Sequence, residues 1–154
     1  MTDQQKEFLD RATLAARSAG HIFPEAAACE AALESAWGKS GLATVDNNLF
    51  GMKQHQHPIY STANLPTKEF ENGEWITVVA HWINYPGWPQ CFADRMATLK
   101  RLAPAQGFEH YAAALAAPDA ETYVREVSAK WSTDPNRAEK VLAIYNAYVT
   151  PVQA

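Results

Sequence analysis

Glu34 stands near the end of an alanine-rich run, in Ala32-Leu33-Glu34-Ser35-Ala36-Trp37-Gly38-Lys39-Ser40, and a turn-forming stretch, Asn47-Asn48-Leu49-Phe50-Gly51, follows soon after. A carboxylate fixed on a helix, beside an aromatic ring and below a polar loop, has the parts of a general acid for glycosidic bonds. Such an acid must hold its proton near neutral pH, through apolar burial or a like charge close by. Glu30, one turn earlier, falls on the same helix face, and Trp37 is also within reach. The competing reading makes Glu30 and Glu34 a solvated helix edge, where charged side chains mostly lie.

Glu69 is the second carboxylate of interest. Thr67-Lys68-Glu69-Phe70 and Trp75-Ile76-Thr77-Val78-Val79 flank Glu71-Asn72-Gly73-Glu74. Asn-Gly favours a type I′ turn, which needs positive φ at both central residues. With Asn72 and Gly73 at the tip, Phe70 faces Trp75 and Glu69 faces Ile76. Glu69 then shares a sheet face with Ile76 and Val78. It is either a second chemical group or an exposed strand charge.

Aromatic residues can stack on the C–H faces of sugars while their polar edges stay wet. Trp37, Tyr85, Trp88 and Trp131 are candidate substrate contacts. Trp88 (expected in a loop between Gly87 and Pro89) and Trp131 are the stronger pair. Core packing is expected for Phe50 and Trp82. Asn48 is placed to bond a sugar N-acetyl group, or to cap a turn. Other chemistries fit poorly. His55-Gln56-His57 has no third ligand at a recognised spacing, so no metal is expected. Ser35 lacks a nucleophile elbow, and Gly38, Gly41 and Gly51 do not form a phosphate loop, so no cofactor is expected. Cys29 reads as a small buried residue. Its pairing with Cys91 stays open, since it needs an oxidising compartment and close Cα atoms.

The elements that carry these residues are mainly helices. Thr2 and Gln5 form a capping box before a stripe of Phe8, Leu9, Ala12, Ala15 and Ala16, which Gly20 ends. Pro24 and Glu25 open a second helix, expected to run to Trp37 and stop at Gly38. Residues 39–52 read as irregular. After the hairpin, helices are expected over Phe92 to Leu102, over Phe108 to Ala117, after a cap at Asp119, and after a cap at Asp134 with Pro135 in the first turn. The last carries Val141, Leu142, Ile144, Tyr145 and Tyr148. The fold class is mainly α (α+β), a helical domain with a small β-hairpin lobe flanking a substrate cleft.

The chain has 154 residues, enough for one buried core, and residues 1–154 read as a single domain. Hydrophobic residues make up 47% and charged residues 19%, as in ordinary globular domains. A net charge of −4 without a Lys or Arg run argues against nucleic acid as a partner. No apolar run is long enough for a membrane span. The charged N-terminus lacks a signal-peptide core. Synthesis in the cytoplasm and action outside it, after release or secretion, is the expectation, and a monomer is the simplest state.

These segments together resemble glycoside hydrolase family 73, the glucosaminidases that cut bacterial peptidoglycan. The helix motif A-L-E-S-x-W-G-x-S stands at Ala32 to Ser40, and N-L-F-G-x-K at Asn48 to Lys53. Thr67-Lys68-Glu69 is similar to the hairpin T-x-E, Trp82-Ile83-Asn84-Tyr85 to F-R-x-Y, and Trp131-Ser132-Thr133-Asp134-Pro135 to Y-A-T-D-P. The motifs keep the family's order from about Phe23 to Tyr148. The resemblance implies a lysozyme-like fold and hydrolysis of the β-1,4 bond after N-acetylglucosamine in peptidoglycan glycan strands. It implies Glu34 as general acid and Glu69 as second carboxylate. The chain departs from the family with Trp131 for a Tyr, Arg137 for another Tyr and Glu30 for a Gln. Rival readings are an N-acetylmuramidase, a lytic transglycosylase, or a non-catalytic wall-binding module. Without a signal peptide, delivery as a phage lysin or as an injected toxin is expected, with an immunity protein as partner in the second case.

Overall fold

Alanine sets the architecture. The helix α2 (Pro24–Glu34) buries seven of its eleven residues, from Ala26 to Ala32, and five of these seven are alanine. Small side chains let neighbouring helices approach from several sides. The computed structural model, which describes residues 1–55 and 60–150, packs α2 against α1 (Asp3–Ser18) and α7 (Arg137–Val149). The expected stripe of α1 is buried, and Thr2 and Gln5 make both bonds of the capping box, at 3.1 and 3.0 Å. Around this centre lie α3 (Gly41–Asp46), α4 (Trp88–Leu102), α5 (Glu109–Leu115) and α6 (Ala120–Trp131). Asp119 caps α6 by accepting from the Thr122 amide at 2.8 Å.

The β lobe is an antiparallel hairpin of β1 (Thr62–Glu71) and β2 (Glu74–Ile83). Asn72 and Gly73 have φ of 51° and 81°, as the type I′ turn requires. Phe70 opposes Trp75 and Glu69 opposes Ile76, as the sequence predicts. Lys53 forms a bridge with Trp82, and the Gln54 amide donates to the His81 carbonyl at 2.8 Å, so a short third strand borders β2. The result is a mainly helical domain with a small antiparallel sheet, the lysozyme-like arrangement expected.

Four boundaries differ from expectation. The α2 helix stops at Glu34 rather than Trp37. Residues 39–52, read as irregular, contain α3, whose N-terminus Ser40 caps by accepting from the Ala43 amide at 3.2 Å. Trp88 is the first residue of α4, not part of a loop, because Pro89 in the first turn needs no backbone donor. The last helix begins at Arg137: Asp134 accepts from the Asn136 amide at 2.9 Å, a turn that precedes the helix. Cys29 and Cys91 are buried free thiols, and burial pushes both up to about 12. Among the described residues no helix is long and apolar enough to cross a membrane, and no cluster of His, Cys, Asp and Glu could hold a metal ion. Gln56 and His57 lie outside the described residues.

Candidate active site

Glu34 is the last residue of α2, and the chain leaves it through three consecutive residues with positive φ: Ala36 (49°), Trp37 (59°) and Gly38 (77°). Ser35 makes this exit possible. Its hydroxyl donates to the Ala31 carbonyl at 2.6 Å and accepts from the Gly38 amide at 2.9 Å. The Trp37 amide closes the helix on the Ala32 carbonyl at 2.8 Å. At Gly38 a Cβ would meet the Phe8 ring at 2.9 Å. Glycine is therefore required there twice over, by conformation and by space. This tight stop holds the Glu34 side chain at the helix end.

That side chain lines a cavity of about 650 Å³ between the helical body and the β lobe. Trp131, Tyr111, Thr98 and Arg101 form the helical wall, and Lys53, His55 and Trp82 line the side of the β lobe. Glu34 is the single carboxylate lining it among the described residues. The residue is exposed overall, while its side chain, held against Arg137, is 27% exposed. Arg137 Nε donates to Glu34 Oε1 at 2.8 Å.

Glu30 is neither a solvated edge nor an uncompensated like charge. It is fully buried in the alanine-rich stretch, where a lone carboxylate would be very costly. Arg95 and Arg137 each donate to its Oε2, at 2.7 and 2.8 Å, and the Tyr123 hydroxyl donates to Oε1 at 2.7 Å. Burial works against its charge, but Arg95 and then Arg137 outweigh it and hold the carboxyl down at about 2. The Arg95 guanidinium lies 4.0 Å from the Trp131 ring centre and 4.5 Å from that of Phe50. It thus links the buried charges to the aromatic floor of the cavity.

The remaining sequence candidates divide. Trp131 lines the cavity, half-buried. Glu69 lies in an adjoining cavity with Lys53, His55 and Val78, and its side chain is 42% exposed. Lys53 and His55 border both cavities. Asn48 is buried: its amide group donates to the Met52 and Ile83 carbonyls, both at 2.9 Å, and its oxygen accepts from the Met52 amide. It ties the loop to β2 and is buried away from the cavity of Glu34. Tyr85 is buried too, donating to Asp94 at 2.5 Å, and Asp94 lies 3.5 Å from His55. Trp37 and Trp88 pack on Phe8 and line a separate cavity, with Arg11 3.6 Å above the Trp88 ring. Asn48, Tyr85 and Trp88 are buried, Trp37 is half-buried, and none of the four lines the cavity of Glu34.

Trp82, assigned to the core by its sequence, instead stands half-buried in the cavity wall under Lys53, 5.3 Å from its ring centre. Alternation along β2 places Trp82 on the same face as Glu69, a signal the sequence did contain. His55, Tyr111 and the two arginines carried no comparable signal. Their positions depend on how distant segments meet.

Residues 11–150 match the family model described as glucosaminidase, mannosyl-glycoprotein endo-β-N-acetylglucosaminidase. The chain belongs to this family, the glycoside hydrolase family 73 domain. Among its relatives is the peptidoglycan hydrolase FlgJ of Pseudomonas aeruginosa, 34% identical over 75% of this chain and 29% of that protein. A probable N-acetylmuramidase of Lactococcus lactis is 32% identical over 82% of this chain and 29% of its own length. The chain thus spans less than a third of these curated relatives. The glycoside hydrolase domain of Salmonella typhimurium FlgJ superposes with a TM-score of 0.72 at 30% identity, covering 93% of this chain and 96% of that one. The catalytic domain of the Listeria monocytogenes autolysin Auto shares the fold, with a TM-score of 0.80 at 23% identity, over 96% of this chain and 86% of that one.

Proposed function

We propose that the chain is a catalytic domain that hydrolyses the glycan strands of peptidoglycan at the cell wall, as an endo-β-N-acetylglucosaminidase with Glu34 as general acid. The observation that carries this reading is the solitary position of Glu34 among the described residues lining a cavity with Trp131 and Trp82. Aromatic faces on two walls suit sugar rings, and one carboxylate suits protonation of the leaving oxygen. The family membership supports the same bond class.

Glu69 is the second carboxylate in this reading. It faces an adjoining space rather than the cavity of Glu34, which favours a reaction in which the acid alone is indispensable. The substrate N-acetyl group then attacks the anomeric carbon while Glu34 protonates the leaving oxygen. In an inverting reaction Glu69 would activate water instead, with the carboxyl groups roughly 6.5–9.5 Å apart. Trp131 has an indole N–H but no ionisable hydroxyl, so its part is shape and stacking.

Cleavage on the other side of the disaccharide is the second reading, favoured by the relatives named as probable N-acetylmuramidases. The experiment is product analysis from purified sacculi by mass spectrometry. New reducing ends at N-acetylglucosamine support the glucosaminidase. Reducing muramic acid ends support the muramidase, and anhydro ends a lytic transglycosylase. Binding to sacculi without released ends would reject an enzymatic role.

A further inference from the structure

All three guanidinium nitrogens of Arg137 have partners inside the protein. Nε donates to Glu34 Oε1, Nη2 to Glu30 Oε2 and Nη1 to Ser128 Oγ, each at 2.8 Å. Arg137 is 1% exposed and is the first residue of α7, where the helix dipole disfavours a cation. Two carboxylates offset that cost. Glu30 is itself fixed from the far side by Arg95 and Tyr123. Arg137 therefore has no freedom to turn, and neither has Glu34 Oε1. Glu34 Oε2 makes no hydrogen bond among the described residues.

We infer that Arg137 is a positioning residue for the acid: it clamps Glu34 through Oε1, so that the transferable proton travels on Oε2, while Glu30 restrains the pull of the guanidiniums on that proton. The inference rests on the reading of Glu34 as the acid. The charge count gives its logic. Two guanidiniums face Glu30 and Glu34, so the cluster is neutral with Glu34 ionised and singly positive with it protonated. Without Glu30 the protonated state carries two uncompensated positive charges, and Glu34 gives up its proton more readily. The other ionisable groups around the cluster and cavity are His21 after α1, Cys29 on α2, Cys91 and Arg101 on α4, Tyr111 on α5, Tyr123 on α6, and Lys53 and His55 beside β2.

The test is the pH dependence of kcat on solubilised sacculus fragments, for the wild type and for Glu30→Gln, Arg137→Lys and Glu34→Gln, each checked for folding by thermal melting. Glu30→Gln is expected to move the alkaline limb to lower pH by about one unit. Arg137→Lys keeps the charge and loses the fork, so kcat is expected to fall about tenfold with KM unchanged and the limb in place. Should Glu30→Gln fail to fold, Arg137→Lys decides alone. An unmoved limb in folded Glu30→Gln, or full kcat in Arg137→Lys, would overturn the inference. If Glu34→Gln is inactive while those two behave as wild type, this inference fails and the acid assignment stands. An active Glu34→Gln removes the acid assignment itself.

Discussion

Lys53 Nζ lies 3.9 Å from Glu69 Oε1. Yet Lys53 is bridged to Trp82 and Glu69 pairs with Ile76, six residues away along β2. A straight strand would separate those levels by about 20 Å, more than the two side chains can span. The hairpin therefore curls, and its concave face brings Glu69 toward the segment that also borders the cavity of Glu34. This pair is solvent-exposed, so its contribution to stability is small, within about 1 kcal/mol. Glu69→Gln should accordingly melt like the wild type and hydrolyse sacculi more slowly without losing activity. Turbidity clearing measures this. Loss as deep as in Glu34→Gln would make Glu69 an indispensable second carboxylate.

Glu34→Gln keeps the size of the side chain and can still meet Arg137 through its amide oxygen. It cannot deliver a proton. Turnover on sacculi should fall by at least about 100-fold, the usual scale of a lost general acid. Circular dichroism and melting should stay near the wild type, because the Glu30 contacts remain. Lysis at the wild-type rate would sink the assignment.

Two buried groups make the fold sensitive to acid, in separate pH windows. Burial, and then the charge of Arg95, lower His21 from 6.5 to about 4, so the folded protein refuses a proton that the unfolded chain accepts. The resulting stability is complete above pH 6.5 and drains away as pH falls toward 4. Glu30 behaves likewise one window lower. Its ordinary value of 4.5 drops to about 2, so its contribution is full above 4.5 and is lost on the way to 2. Melting temperature should decline first below pH 6.5. His21→Asn should flatten that first decline and leave the second. Identical pH profiles for both proteins would refute the His21 contribution.

Much of this site could be read from local pattern. The type I′ turn at Asn72-Gly73 fixed the register of Glu69, and Pro24 marked the start of the acid's helix, although that helix ends at Glu34, four residues before the glycine expected to stop it. What pattern missed was tertiary. Periodicity placed Glu30 on a helix edge, because nothing local reveals that Arg95 and Arg137, 65 and 107 residues away, converge on it. Trp88 looked free for sugar because an aromatic between glycine and proline reads as a loop, yet it is buried against Phe8 of α1, where Trp37 also packs, half-buried, and Tyr85 is buried against Asp94.

Gly38 offers the sharpest stability test of the site's scaffold. Its φ of 77° costs an L-residue roughly 1–2 kcal/mol, and the Cβ of alanine would come within 2.9 Å of Phe8 Cε2. Phe8 is wedged between Trp37 and Trp88, with ring centres 6.1 and 5.1 Å away, so it has little room to yield. Overpacking of this kind adds about 1–3 kcal/mol. Gly38→Ala should therefore destabilise the protein by about 2 kcal/mol or more in urea unfolding. Activity should drop further than stability alone explains, since the strained exit from α2 aims Glu34. An alanine variant with wild-type stability would mean that the loop relaxes, and that the left-handed run from Ala36 to Gly38 does not hold the acid in place.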